Sequence, residues 1–304
     1  MRPGPASLTH SDERTAIRES ANPGSGRSDG TPFPDQRMRL YDAHNHLQDE
    51  RLGPWIDDIL DSLPNQGVIC AVVNGSCEDD WEAVARLARA HPWIKPSFGL
   101  HPWYVKERSP HWLDTLRHYL EIFPDAAVGE IGLDRWIDAP DIPGQEEVFR
   151  AQLEIATTYE RPATIHCLRA WGWMERTLSN GPRPRKGFLL HSYGGPIEMI
   201  PMFVSWGAYF SLSPYFAHER KSRQAEVFSA VPFDRLLAES DAPDMWPPDE
   251  LNACPLKDSA GKQLNHPSNL IVSYRLLASL RGMTMEAMAG CLEENFNRLF
   301  GPRT

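Results

Sequence analysis

From residue 40 onward, short apolar runs bounded by polar turns alternate with longer amphipathic segments, and this alternation limits the fold more than any other feature. Such apolar runs have the length of buried strands, and the segments between them carry helical periodicity. Strands are predicted at 40–46, 67–74, 94–101, 126–133, 163–168, 187–191, 208–213 and 236–240. Helices are predicted between them, for example at 79–90, where Trp81, Val84, Ala85, Leu87 and Ala88 mark one face, and at 145–159. Two more, at 268–280 and 285–300, close the chain, separated at Arg281-Gly282 with Thr284 as N-cap. Strands alternating with helices form a parallel sheet covered by helices. Eight such units in about 260 residues fit a single-domain α/β fold of the closed TIM (β/α)8 barrel type over 38–304 better than an open sheet. No G-x-G-x-x-G follows the first strand, so a dinucleotide site is not indicated.

In a barrel the carboxyl ends of the strands meet in one place. The residue types found at those ends are the ones that bind metals. His44 and His46 end the first predicted strand, His101 the third, His166 lies on the fifth and His191 ends the sixth; Glu130 and Asp134 mark the fourth, and Glu239 and Asp241 the eighth. His44 and His46, two apart on a strand, share a face. Each of these residues alone has an ordinary structural explanation. Together they are harder to explain that way, because ionisable side chains inside apolar runs such as Ala163-Thr-Ile-His166 are costly to bury unless paired or bound to a cation. Four histidines and two carboxylates suffice for two divalent ions sharing one carboxylate.

With 31 Lys and Arg against 41 Asp and Glu, the net charge of −10 argues against a protein that coats duplex nucleic acid through a broad basic face. A nuclease is compatible with it, since bound cations reverse the sign locally. No apolar run is long enough to span a bilayer, and no obligate protein partner is indicated. Five scattered cysteines without C-x-x-C spacing speak against a disulfide framework and suit a reducing cytoplasm. Residues 1–37, rich in Pro, Gly, Ser and Arg, read as a disordered tail without an apolar signal segment. Met38, just ahead of the first strand, is the expected alternative start of translation.

The motifs Tyr41-Asp-Ala-His-Asn-His46, Gly99-Leu-His-Pro102, Val128-Gly-Glu-Ile-Gly-Leu-Asp134, Ile165-His166, His191-Ser-Tyr-Gly-Gly195 and Leu237-Ala-Glu-Ser-Asp-Ala-Pro243 resemble, in order, those of the TatD-type metal-dependent hydrolases. The resemblance continues through Asn265-His-Pro-Ser-Asn269 to Glu294-Asn-Phe-Asn-Arg-Leu-Phe300 and so covers nearly all of the chain after residue 40. It implies an amidohydrolase-like barrel with a binuclear metal site: His44, His46 and Asp241 on one divalent ion, His166 and His191 on the other, Glu130 bridging. Zn, Mn, Mg, Fe and Co all suit this donor set. The activity implied is that of a deoxyribonuclease of the exonuclease kind, which takes a single-stranded DNA end and cleaves phosphodiester bonds with a metal-activated water. Asp241, besides ligating, would accept that water's proton and pass it to the leaving group. His101 is expected to contact substrate or a ligand, Glu239 to orient a ligand from deeper in the barrel, and Asp134 to lie at the pocket rim or pair with a loop arginine.

The chain departs from the family at Leu168, where an arginine that can hold a phosphate is common; here the arginine is Arg169, one residue on. Ser240 stands where Thr is more usual. Aromatic residues Trp55, Trp103, Tyr104, Trp136, Trp171, Trp173, Tyr193, Tyr215 and Trp246 all follow strand ends, part of them core and the rest available to stack on bases or line a pocket. The loop 244–265 is a possible lid, and Arg220, Lys221 and Arg223 are further candidates for holding an anion. The displaced arginine and acidic charge favour a second reading, a two-metal hydrolase of a small ester, lactone, amide or phosphoester. A third, a metal-binding interaction protein without catalysis, fares worst because no ligand type is missing.

Overall fold

The computed structural model describes residues 38–301, so the tail expected over 1–37 lies outside the described residues. Eight parallel strands follow one another in chain order: β1 Leu40–Asn45, β2 Val68–Asn74, β3 Ile94–Phe98, β4 Ala127–Asp134, β5 Ala163–Leu168, β6 Phe188–Leu190, β7 Ala208–Leu212 and β8 Leu236–Ala238. Each pairs with the next, and the sheet curls into a TIM barrel. Its seam is closed just beyond the regular strands: the Asp241 amide donates to the His44 carbonyl at 2.9 Å, and the His46 amide to the Ala242 carbonyl at 2.8 Å.

Two apolar layers hold the barrel together. The larger lies between sheet and helices. The smaller fills the barrel's interior, where Tyr41, Ala43, Cys70, Val72, Leu189, Tyr209 and Leu237 pack with Phe296, Leu299 and Phe300 of the final helix, Met285–Phe300. That helix plugs one end. Two residues further along β6, β7 and β8 from Leu189, Tyr209 and Leu237 stand His191, Ser211 and Glu239, so strand alternation carries the same inward face from apolar filler to polar side chains. The other end of the barrel is therefore the polar one.

Several strands stop short of their predicted limits. β3, β6 and β8 end before His101, His191 and Glu239, because the backbone turns there to aim those side chains. His101 caps the 3-10 turn Pro102–Tyr104, and Ser192 and Asp241 adopt left-handed backbone at φ 43° and 51°. The helix expected at 145–159 runs Ile142–Thr158, since Asp141 accepts from the Gly144 amide as N-cap and Pro143 fits the first turn. The segment expected at 268–280 is a 3-10 turn, Pro267–Asn269, followed by the helix Leu270–Leu280. At Gly129 any side chain would overlap Thr164 Oγ1, which is why the chain can pass so close to β5 just before Glu130.

The loop after β8 carries a small antiparallel hairpin, β9 Leu256–Lys257 with β10 Gln263–Leu264. Arg51 fixes this loop to the one after β1, donating to both carboxylate oxygens of Asp244 at 2.7 and 3.0 Å. No helix among the described residues is long and apolar enough to cross a membrane.

Candidate metal centre

At the polar end of the barrel, Glu130 sits buried at the centre of the cluster. Its Oε2 lies 3.2 Å from His46 Nε2 and 3.5 Å from His44 Nε2; its Oε1 lies 2.9 Å from His191 Nε2, 3.1 Å from His166 Nδ1 and 3.4 Å from His101 Nε2. Asp241 Oδ1 stands 3.7 Å from His44 Nε2 and 3.9 Å from His46 Nε2. The six residues expected as ligands thus converge, with His101 beside them.

Hydrogen bonds decide which ring nitrogen His46, His166 and His101 present. His46 donates Nδ1–H to the Asn74 carbonyl at 2.8 Å, leaving Nε2 for the cluster. His166 gives Nε2–H to Asp134 Oδ2 at 2.9 Å, leaving Nδ1. His101 differs. Its Nδ1 accepts the Trp103 amide at 3.2 Å, so the neutral ring carries its proton on Nε2 and points a donor, rather than a lone pair, at Glu130.

Burial and the neighbouring groups set the charges around Glu130. Burial lowers His44, aided by the positive charge of His191, and lowers His101, each to about 4. For His46 the bond to Glu130 overcomes burial and lifts it to about 9. His166 is likewise raised against burial, mainly by Asp134, and His191 is raised well above its usual value by Glu130. Glu130 is held well below the usual carboxylate range, because His101, His191 and His44 outweigh its burial. Asp241 moves the other way, pushed well up by burial and by the charge of Glu239 despite the pull of His191. A buried group that contains a low carboxylate, a raised carboxylate and raised imidazoles is short of fixed positive charge.

A divalent cation fits that deficit and the spacing. Bonds of about 2.0–2.1 Å place neighbouring tetrahedral ligand atoms about 3.3 Å apart. His44 Nε2 and His46 Nε2 are 3.2 Å apart, and His166 Nδ1 and His191 Nε2 are 3.4 Å apart. Two imidazole lone pairs facing each other at such distances repel unless a proton or cation lies between them. Three groups have one donor atom each within 4.8 Å of the others: His44, His191 and Asp241; His44, His46 and Glu130; and His101, Glu130 and His166.

Around the cluster the structure corrects one expectation. Asp134 is neither at the rim nor paired with an arginine; it is fully buried, binding His166 and accepting the Trp103 indole N–H at 2.7 Å. Glu239, also fully buried, bonds Ser211 Oγ through Oε2 and brings Oε1 to 3.6 Å from His191 Nδ1, neither of which has another partner. Arg169 takes left-handed backbone at φ 54° and lays its guanidinium 5.6 Å from the Trp136 ring centre. Arg220 and Lys221 both lie against the Tyr215 ring, at 5.2 and 5.3 Å. Of the aromatic residues after strand ends, Trp173 and Tyr193 are core, whereas Trp103 and Trp136 are 47% and 53% exposed.

Three supporting residues escaped the sequence reading. Asp42, buried, accepts from the Ser240 amide and hydroxyl at 2.9 and 2.6 Å and from Asn45 Nδ2 at 3.0 Å. Asn74 offers the carbonyl that fixes His46, and Ser211 the hydroxyl that fixes Glu239. Polar residues within apolar runs, the rule that found the histidines, would have found these too.

Residues 41–301 match the family described as TatD related DNase. The chain is 28% identical over 264 residues to YjjV of Escherichia coli K12, an uncharacterized metal-dependent hydrolase, covering 86% of this chain and 98% of the relative. It is 26% identical over 263 residues to the 3'-5' ssDNA/RNA exonuclease TatD of Erwinia tasmaniensis, covering 86% and 99%. The crystal structure of the E. coli YjjV protein superposes with a TM-score of 0.78 at 26% identity, over 87% of this chain and 99% of that one.

Proposed function

Because the chain belongs to the TatD related DNase family and is a metal-dependent hydrolase, we propose that it releases nucleotides from an end of single-stranded DNA, using two divalent cations held by His44, His46, Glu130, His166, His191 and Asp241. The observation that carries the two-cation reading is the split of Glu130, with one oxygen turned to His44 and His46 and the other to His166 and His191. The nucleic-acid substrate is supported by the activity named for the Erwinia relative.

Bound there, the cations supply Lewis acidity to a phosphoryl oxygen and lower the pKa of a water. The protein does the rest. Asp241 receives the proton of the attacking water and delivers it to the leaving oxygen. His101, fixed as an Nε2–H donor, hydrogen-bonds Glu130 or an oxygen of the substrate. Asp134 and Glu239 hold His166 and His191 in orientation. Arg169 supplies positive charge near the phosphate.

Leu168 in place of the arginine common in the family, together with the net charge of −10, favours the second reading, hydrolysis of a small ester, lactone, amide or phosphoester by the same residues. The test is to assay metal-loaded protein against single-stranded DNA and a panel of such compounds. Nucleotide release that falls by about 10²–10⁴ in Asp241→Asn is expected, with His191→Ala also inactive. Turnover of the small compounds alone would select the second reading, DNA degradation surviving His191→Ala would mark a contaminant, and near-normal turnover by a metal-loaded Asp241→Asn would remove its proton-transfer role.

A further inference from the structure

Trp103 and Trp136 are the only tryptophans among the described residues with large exposed surfaces, and one buried carboxylate holds both. Asp134 Oδ2 accepts the Trp103 indole N–H at 2.7 Å, and Asp134 Oδ1 accepts the Trp136 backbone N–H at 2.6 Å. The same Oδ2 receives His166 Nε2–H at 2.9 Å. The exposed Trp103 indole and the backbone that carries Trp136, on the loops after β3 and β4, are therefore anchored through a single side chain to a residue of the metal cluster. An exposed indole forgoes burial that large apolar side chains ordinarily gain. The Trp103 indole is moreover held by its bond to Asp134, and the Trp136 ring lies against Arg169, so less side-chain freedom remains to be lost when something lies on them.

Arg169 adds the second part. Its backbone at φ 54° is one that a residue with a side chain rarely adopts, and its guanidinium lies 5.6 Å from the Trp136 ring centre. It occupies one face of that indole and leaves the other, beside a positive charge. A flat ring backed by a cation suits a planar, electron-rich ring joined to a phosphate. In a duplex both faces of a base are already stacked, so only an unpaired base can use such a surface.

We propose that Trp136, backed by Arg169, forms with Trp103 a stacking platform for an unpaired base of the strand being cut, so that single strands are selected by contact with a base as well as with phosphate. This rests on the nuclease reading above.

The test is equilibrium binding by the metal-loaded protein of an all-phosphorothioate oligothymidylate, which resists cleavage, and of an abasic oligomer of the same length, linkage and charge. The platform requires the thymidylate to bind about tenfold or more tightly than the abasic strand. Trp136→Ala should abolish that advantage, and Trp136→Phe, which keeps a ring, should retain most of it. Equal binding of the two strands by the unaltered protein, or an advantage that survives in Trp136→Ala, overturns the platform while leaving the nuclease reading intact. If neither strand binds and small phosphoesters are nevertheless hydrolysed, the nuclease reading fails and the platform with it.

Discussion

The amide of Asp241 donates to the carbonyl of His44 at 2.9 Å, so two residues of the metal cluster also close the barrel. The seam and the site draw on the same few residues. Directly behind them, Asp42 on β1 takes both the amide and the hydroxyl of Ser240, which fixes the segment that carries Asp241 in its left-handed backbone.

Asp42→Ala should therefore damage stability and metal binding together. It strands four buried donors, the Ser240 amide, the Ser240 hydroxyl, Asn45 Nδ2 and the His44 amide, and the expected loss is about 3–5 kcal/mol. Urea unfolding measures the stability, and a metal titration of the folded fraction the affinity. A variant that loses stability but binds metal as before would show that the seam does not position Asp241.

Asp134→Asn should weaken metal binding without unfolding the barrel. The carboxylate holds His166 by accepting its Nε2–H, and an amide that turns its nitrogen toward the ring forces the imidazole to rotate or change tautomer. Loss of such a partner typically costs about 10- to 100-fold in metal affinity, which calorimetric titration reads directly. Unchanged affinity would mean that the packing of the neighbouring rings suffices to orient His166.

His266, outside the groups that could hold a metal, predicts a particular acid sensitivity. Its Nδ1 accepts the Ser268 amide at 3.0 Å, capping the turn before the helix Leu270–Leu280, and burial lowers the ring to about 4. In the unfolded chain the ring takes up a proton near its usual 6.5, whereas the folded chain resists until about 4. The stability this neutral ring contributes is thus complete above pH 6.5 and is lost as the pH falls from there toward 4. Comparing unfolding free energies across that window, His266→Asn, which can still cap, should lose on the order of 2 kcal/mol less than the unaltered protein. Parallel pH curves for the two proteins would show that another group causes the loss.

The barrel is legible in the sequence because strand and helix periodicities are strong when both faces of a sheet are covered, as in Gly187-Phe-Leu-Leu-His191. The cluster is legible for a related reason: His166 and His191 interrupt apolar runs, where an ionisable group stands out. Sequence spacing shows that Asp134 lies near a strand end but not whether it turns inward. Its burial depends on Trp103, 31 positions earlier, swinging an indole across from another loop. Asp42 stands beside the His44 motif, and the residue that shows its role, Ser240, is 198 residues away. The third strand is expected to reach His101 because Leu100 continues the apolar run past Phe98, where regular pairing has already stopped.

A seam made from the first and last strands has a consequence for synthesis. Chains grow from the amino terminus, so β1 emerges with His44 and His46 long before β8 and Asp241 exist. Until then the leading edge of the sheet has no neighbour and the cluster lacks a carboxylate. A product stalled or truncated before Asp241 cannot acquire the hydrolytic centre by folding what it has, and closure of the barrel and competence for chemistry become one event.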